Sequence, residues 1–128
     1  MIYFPNAKIN LGLRVTSRRE DGFHDLDTVF FPVPLHDVIE VITHSTSSAD
    51  AVTFTHAGIL IPGEASSNLC IKAYHLLKKD YPDLPSIHLH LHKHIPMGAG
   101  LGGGSSDGAF MLKLLNDKYR LGIGEDQL

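Results

Sequence analysis

At 128 residues, with 43% hydrophobic and 20% charged side chains, the chain is long enough for one compact domain with its own core and too apolar to stay disordered. Eleven Lys and Arg against 14 Asp and Glu give a net charge of -3, which offers no electrostatic reason to expect nucleic acid or an anionic membrane as partner. The single cysteine, Cys70, cannot form an internal disulfide, Met1 to Asn6 lacks the basic and apolar regions of an export signal, and no apolar run approaches the roughly 20 residues that cross a bilayer; the expected compartment is the cytoplasm.

From Ala7 to Val15 the chain alternates strictly, with Ala7, Ile9, Leu11, Leu13 and Val15 on one face, as a half-buried strand does. Arg18 to Gly22 has turn chemistry and Asp27 to Phe31 resumes strand character, so a hairpin is expected with Phe23 and His24 just past its turn. Pro32 and Pro34 should break the ladder, Asp37 to Thr43 reads as a further strand, Thr43 to Ser48 as a loop, and Ala51 to Thr55 as a returning strand. Ser66-Ser67-Asn68 offers N-cap side chains for a helix ended by Tyr81-Pro82, with Leu69, Ala73, Leu76 and Leu77 on its apolar face and Cys70 as a small buried residue. Ile87 to Ile95 alternates again, a second helix is expected from about Ser105 to Tyr119, and Gly122 to Leu128 reads as the first turn of a third whose apolar face never arrives. His88, His90, His92 and His94 share one strand face; such a pattern suits a polar solvent face, and a zinc site would need a third ligand and a supporting shell, so no metal is assigned.

Between the last strand and the second helix lie five glycines in seven residues, Gly98, Gly100, Gly102, Gly103 and Gly104. Glycine loses the most conformational entropy on folding, so such a cluster is costly unless the backbone needs positive φ or close approach by a ligand. A strand, a glycine-rich loop and a helix N-terminus aim unpaired N–H groups and the positive end of the helix dipole at one spot, which suits a polyphosphate, with the Ser105 and Ser106 hydroxyls as further donors. Gly98-x-Gly100-x-x-Gly103 also fits the dinucleotide fingerprint, but no second strand with an acidic end follows, and no Gly-Lys-Ser/Thr follows for a Walker loop.

Pro96-Met97-Gly98-Ala99-Gly100-Leu101-Gly102, followed by Gly103-Gly104-Ser105-Ser106, resembles the ATP loop of the GHMP kinases, Pro-x-x-x-Gly-Leu-Gly-Ser-Ser-Ala, with Gly103-Gly104 where that pattern has Ser-Ser. Pro5 to Leu11 and Asp21-Gly22-Phe23-His24-Asp25-Leu26 are similar to one branch of the family, which phosphorylates the 2-hydroxyl of a cytidyl-bearing polyol in non-mevalonate isoprenoid biosynthesis. The resemblance implies an α+β fold like domain 2 of ribosomal protein S5, a mostly antiparallel sheet with helices on one face. It implies that residues 1–128 are the N-terminal ATP-binding domain of such a kinase, with the C-terminal part of the enzyme outside this chain. ATP is then the co-substrate, Mg²⁺ is expected with it, and a small cytidyl molecule is the partner.

Residue by residue, the resemblance implies that Lys8 lies between substrate and γ-phosphate, that Asn10 positions the substrate, that Phe23 stacks on cytosine, and that His24 bonds the pyrimidine edge. Asn68 falls near the adenine, and Pro96, Met97, Gly98, Ala99, Gly100, Leu101, Gly102, Gly103, Gly104, Ser105 and Ser106 form the ATP loop. The shifted serines leave no magnesium ligand to carry over. The aspartate that deprotonates the hydroxyl in this family belongs to a Gly-x-Asp-x-Pro segment, which this sequence lacks, so the 128 residues are expected to be inactive alone. From another class, the glycine loop also suits a noncatalytic nucleotide-binding or regulatory module.

Overall fold

The computed structural model describes residues 1–44 and 51–128, so the Ser/Thr-rich loop expected at Thr43 to Ser48 lies beyond His44 outside the described residues. Two sheets carry the fold. The first has strand order β1-β4-β6-β5, from β1 (Ile2–Tyr3), β4 (Val38–Thr43), β6 (Ile87–Lys93) and β5 (Val52–Gly58). β4 runs antiparallel to both β1 and β6, while β5 runs parallel to β6 and is joined to it through helix α1 (Leu69–Asp80). The second is a long antiparallel ribbon of β2 (Asn6–Arg18) and β3 (His24–His36).

The main sheet has two unlike faces because β6 alternates so cleanly. Ile87, Leu89, Leu91 and Lys93 point inward and are buried, and His88, His90 and His92 point outward. Against that inner face, with Ile39 and Val41 of β4, pack Cys70, Ile71, Ala73, Tyr74 and Leu77 of α1 and Met111, Leu114 and Leu115 of α2 (Gly103–Tyr119). Each fully buried aliphatic side chain there contributes on the order of 1.5–3 kcal/mol. The α+β arrangement with helices on one face is as the resemblance implies.

Several local expectations need correction. Leu69 and Leu76 are exposed, while Cys70, Ala73 and Leu77 are buried as expected, and Ile71 and Tyr74 join them in a stripe rotated toward α2 and the sheet. Gly108 of α2 makes that contact close, since a Cβ there would lie 3.1 Å from the Leu69 Cβ. β3 runs straight through Pro32 and Pro34. Pro32 stands opposite Lys8, whose N–H turns away to the Leu101 carbonyl at 2.9 Å, so this pair has no ladder bond for proline to break. The ribbon is not half-buried: Ala7 is covered, but Ile9, Leu11, Leu13 and Val15 are 38–56% exposed, because alternation decides which residues share a face and not whether anything packs on it. Residues 121–128 hold a turn closed by the Gln127 N–H on the Gly124 carbonyl at 3.0 Å, and no helix.

Leu89 sits at the centre of the sheet with no exposure. Leu89→Ala should therefore lower unfolding free energy by about 2–5 kcal/mol in urea denaturation, whereas Leu76→Ala, on the open side of α1, should cost well under half of that.

Candidate functional site

The glycine-rich loop leaves β6 at His94 and enters α2 at Gly103. Gly98, Gly100 and Gly102 have φ of 72°, 75° and 70°, the left-handed region that L side chains rarely adopt, and Gly102 is the N-cap of α2. Gly103 has a different reason to be glycine. A Cβ there would come within 2.7 Å of Ile95 Cγ2 and 3.0 Å of Lys93 Nζ. Helix α2 thus starts two residues earlier than the serines suggest, and Ser105 and Ser106 lie within its first turns.

β2 is fastened to this loop at one residue. The Lys8 N–H donates to the Leu101 carbonyl at 2.9 Å, and its ammonium donates to the Gly100 carbonyl at 2.9 Å and to Asn10 Oδ1 at 2.6 Å, with the Phe30 ring centroid 5.2 Å away. Asn10 is oriented in turn by its amide donating to Thr28 Oγ1 at 3.0 Å, and that hydroxyl donates to the Gly12 carbonyl. Lys8, Asn10 and the loop are brought together. Asn68 caps α1, accepting the Cys70 N–H at 2.9 Å, and faces the loop across a cavity of about 350 Å³ lined by Phe54, Ile61, Leu91, Met97 and Gly104.

Phe23 and His24 are not brought to this place. They sit at the ribbon's turn, Phe23 72% exposed with its N–H on Asp21 Oδ1, about ten residues or roughly 33 Å along the strand from Lys8. Between the two places the ribbon carries register irregularities, between Leu11 and Leu13 and between Val15 and Ser17, where a strand pair bends.

Behind the loop lies a set of charges that the motifs do not announce. Lys93, 2% exposed, donates to Asp37 Oδ2 at 2.5 Å and to Asp107 Oδ2 at 2.7 Å. Asp37 Oδ1 accepts the N–H groups of His94 at 2.5 Å and Ile95 at 2.8 Å. Burial pushes the Asp37 carboxyl up, but the Lys93 ammonium and these two N–H groups outweigh it and hold it below its usual range. Burial likewise pulls Lys93 down, and its two carboxylates more than reverse that. At Asp107 burial wins over Lys93 and, with the Asp37 charge nearby, pushes the carboxyl up to about 7; its Oδ1 is buried without a partner. The signal for this set was present in the sequence, because Lys93 occupies an inward position in the β6 alternation, where a lysine must find counter-charges.

These shifts give a pH dependence with a definite sign. A carboxyl raised from 3.8 in the unfolded chain to about 7 in the fold is favoured in its neutral form, so its contribution to stability falls as pH rises across that window and levels off above it. Asp107→Asn mimics the neutral form. The stability difference between Asp107→Asn and the parent should therefore grow in favour of the variant from pH 5 to pH 8, measured by urea denaturation at each pH.

Among the described residues no helix is long and apolar enough to cross a membrane, and no group of three His, Cys, Asp or Glu side chains is placed to hold a metal ion. Cys70 is buried and its thiol is pushed up, first by burial, which makes it a packing residue.

Residues 68–128, which hold α1, β6, the loop and α2, match the model of the GHMP kinases N terminal domain. The whole chain is 54% identical to 4-diphosphocytidyl-2-C-methyl-D-erythritol kinase of Cytophaga hutchinsonii and 56% identical to the kinase of that name from Bacteroides thetaiotaomicron, and it spans 45% and 46% of their lengths. A crystal structure of 4-(cytidine 5'-diphospho)-2C-methyl-D-erythritol kinase superposes on 97% of the chain with TM-score 0.79 and 36% identity, the match covering 42% of that protein. The chain spans less than half the length of the curated relatives it matches. A glycine-rich loop tied to a strand lysine, in a fold shared with these kinases along the whole of this chain, makes the chain similar to the GHMP kinases.

Proposed function

We propose that residues 1–128 are the N-terminal, ATP-binding domain of a small-molecule kinase that moves the γ-phosphate of ATP onto the 2-hydroxyl of 4-diphosphocytidyl-2-C-methyl-D-erythritol, a cytoplasmic step of non-mevalonate isoprenoid precursor synthesis. The observation that carries the nucleotide part is Gly104. Its φ is not in the left-handed region, and an added Cβ would meet nothing within 4 Å, so neither strain nor packing asks for glycine there. It lines the cavity in the first turn of α2, and a close-lying ligand explains the missing side chain.

The parts then act as follows. Gly103, Gly104 and Ser105 are the first three helical residues, whose N–H groups have no intrahelical acceptor, and with the helix dipole they attract phosphate oxygens. The cavity between Phe54, Ile61 and Leu91 takes the flat base, with Asn68 at its edge. Lys8 has three N–H bonds and spends two on Gly100 and Asn10; the third is left for the transferring phosphoryl group, where the positive charge is worth most in the transition state. In the transfer the substrate oxygen bonds to the γ-phosphorus, the bond to the ADP oxygen breaks, and the hydroxyl proton leaves to a general base. Mg²⁺ would arrive on the phosphates of ATP and offset their charge. Phe23, exposed at the ribbon turn, supplies a stacking face for cytosine and His24 a polar edge.

Gly104→Val in the full-length protein should raise the KM for ATP at least about tenfold with little loss of thermal stability, because open space over Gly104 accepts the side chain but the nucleotide then cannot. Gly103→Val should instead lower the melting temperature, since it collides with Ile95. Equal and unchanged ATP kinetics in a folded Gly104→Val variant would remove the loop from the site. Tight ATP binding with no substrate-dependent ADP release would favour the noncatalytic module.

Base–aromatic stacking is worth about 1–3 kcal/mol, so Phe23→Ala should weaken cytidyl-substrate binding by roughly 5- to 150-fold while ATP binding stays nearly intact, both read by calorimetry. A loss on the ATP side would move the cytidyl pocket elsewhere.

A further inference from the structure

We infer that Asp107 is a positioning residue for the glycine-rich loop, acting through the Lys93 ammonium to hold the start of α2 at a fixed distance from the end of β6. Three segments meet at that ammonium. Asp37, fully buried between β3 and β4, binds it with one oxygen and the N–H groups of His94 and Ile95 with the other, which fixes the loop's entry. Asp107, four residues into α2 from Gly103, binds the same ammonium from the loop's exit. Between them Gly103 leaves so little room that its missing Cβ would fall 3.0 Å from Lys93 Nζ.

Stability does not account for the second carboxylate. Lys93 and Asp37 already form a neutral, hydrogen-bonded pair, so Asp107, once ionised, makes the set carry one more negative charge beside the glycine-rich loop. Buried ionic groups are often no more stabilising than well-packed apolar ones of similar size, and their best-supported use is to fix register. Asp107 Oδ1 is left with no partner, the mark of a side chain placed for one contact at the expense of another. That contact is the only polar bond by which α2 reaches the β6 exit among the hydrogen bonds of the described residues.

The test separates position from stability, and it uses the full-length protein. Hydrogen exchange is followed in the segment 98–106 and, as control, in α1, for the parent, Asp107→Asn and Asp107→Leu; binding of Mg·ATPγS is measured in parallel. Asn still accepts from Lys93, so both readouts should stay within about twofold of the parent. Leu removes the acceptor but leaves the Lys93–Asp37 pair neutral, so the melting temperature should hold or rise while loop exchange quickens and ATPγS affinity drops, each by about tenfold, with α1 unchanged. Unchanged loop exchange in a folded Leu variant overturns the inference, and so does a loss that is equal in Asn and Leu or shared by α1. Should Leu fail to fold, Asp107→Ala is read by the same criteria. The affinity arm rests on the proposed nucleotide reading; if the parent itself fails to bind ATPγS, that reading falls, and the exchange arm alone decides the role of Asp107.

Discussion

The Lys93 ammonium sits where the sheet hands the chain over to the glycine-rich loop, and much of the molecule's geometry depends on what surrounds it. Removing one ammonium from water costs several kcal/mol, and so does each carboxylate; such a set is tolerable only with short, well-directed contacts. Asp37 meets that demand with four contacts from one side chain and the backbone beside it, since its own N–H also donates to the Pro5 carbonyl at 2.9 Å. The base of the ribbon, the end of β6 and the head of α2 are therefore set by one another. A change in any one of them has to be answered at the ammonium.

A second, lighter fastening joins the ribbon to the loop. Lys8 engages Leu101 through its backbone and Gly100 through its side chain, so the loop is held from the sheet side by Asp37 and from the ribbon side by Lys8. Past Lys8 the ribbon leaves the body of the domain, and its apolar residues stand largely in the open. The loop is thus the meeting place of a well-packed half and a half that has little to rest on.

Much of this was legible from residue order alone. The β6 alternation, the Asn68 cap, the Tyr81-Pro82 stop and the strand–glycine loop–helix succession each depend on near neighbours, and each was found where expected. What was not legible depends on partners far along the chain. The exposure of Leu11 and Leu13 is decided by what covers the ribbon, and the stripe that α1 buries by where α2 lies. Pro32 was harmless because Lys8, 24 residues earlier, sends its N–H to Leu101 instead. Of the candidate site residues, Lys8, Asn10 and Asn68 gather around the loop. Asp37 and Asp107 are not legible in this way, because an acidic residue near a turn or in a helix carries no local sign of burial.

The order of strands in the main sheet has a bearing on how the molecule comes into being. β6 is the third of its four strands in space and the last of them in the chain, with β4 on one side and β5 on the other. A chain emerging from the ribosome can close the β2–β3 ribbon early, from residues joined by a short turn. β5, however, has no partner to bond until Ile87 to Lys93 has been made, and the partner of β4 on that side is equally late. Pairings across such separations form slowly and leave strand edges unprotected in the interval. The nascent domain therefore passes through a stage in which the ribbon is complete while the sheet is open, and synthesis of β6 brings together, within a few residues, both the closing strand and the lysine that locks it.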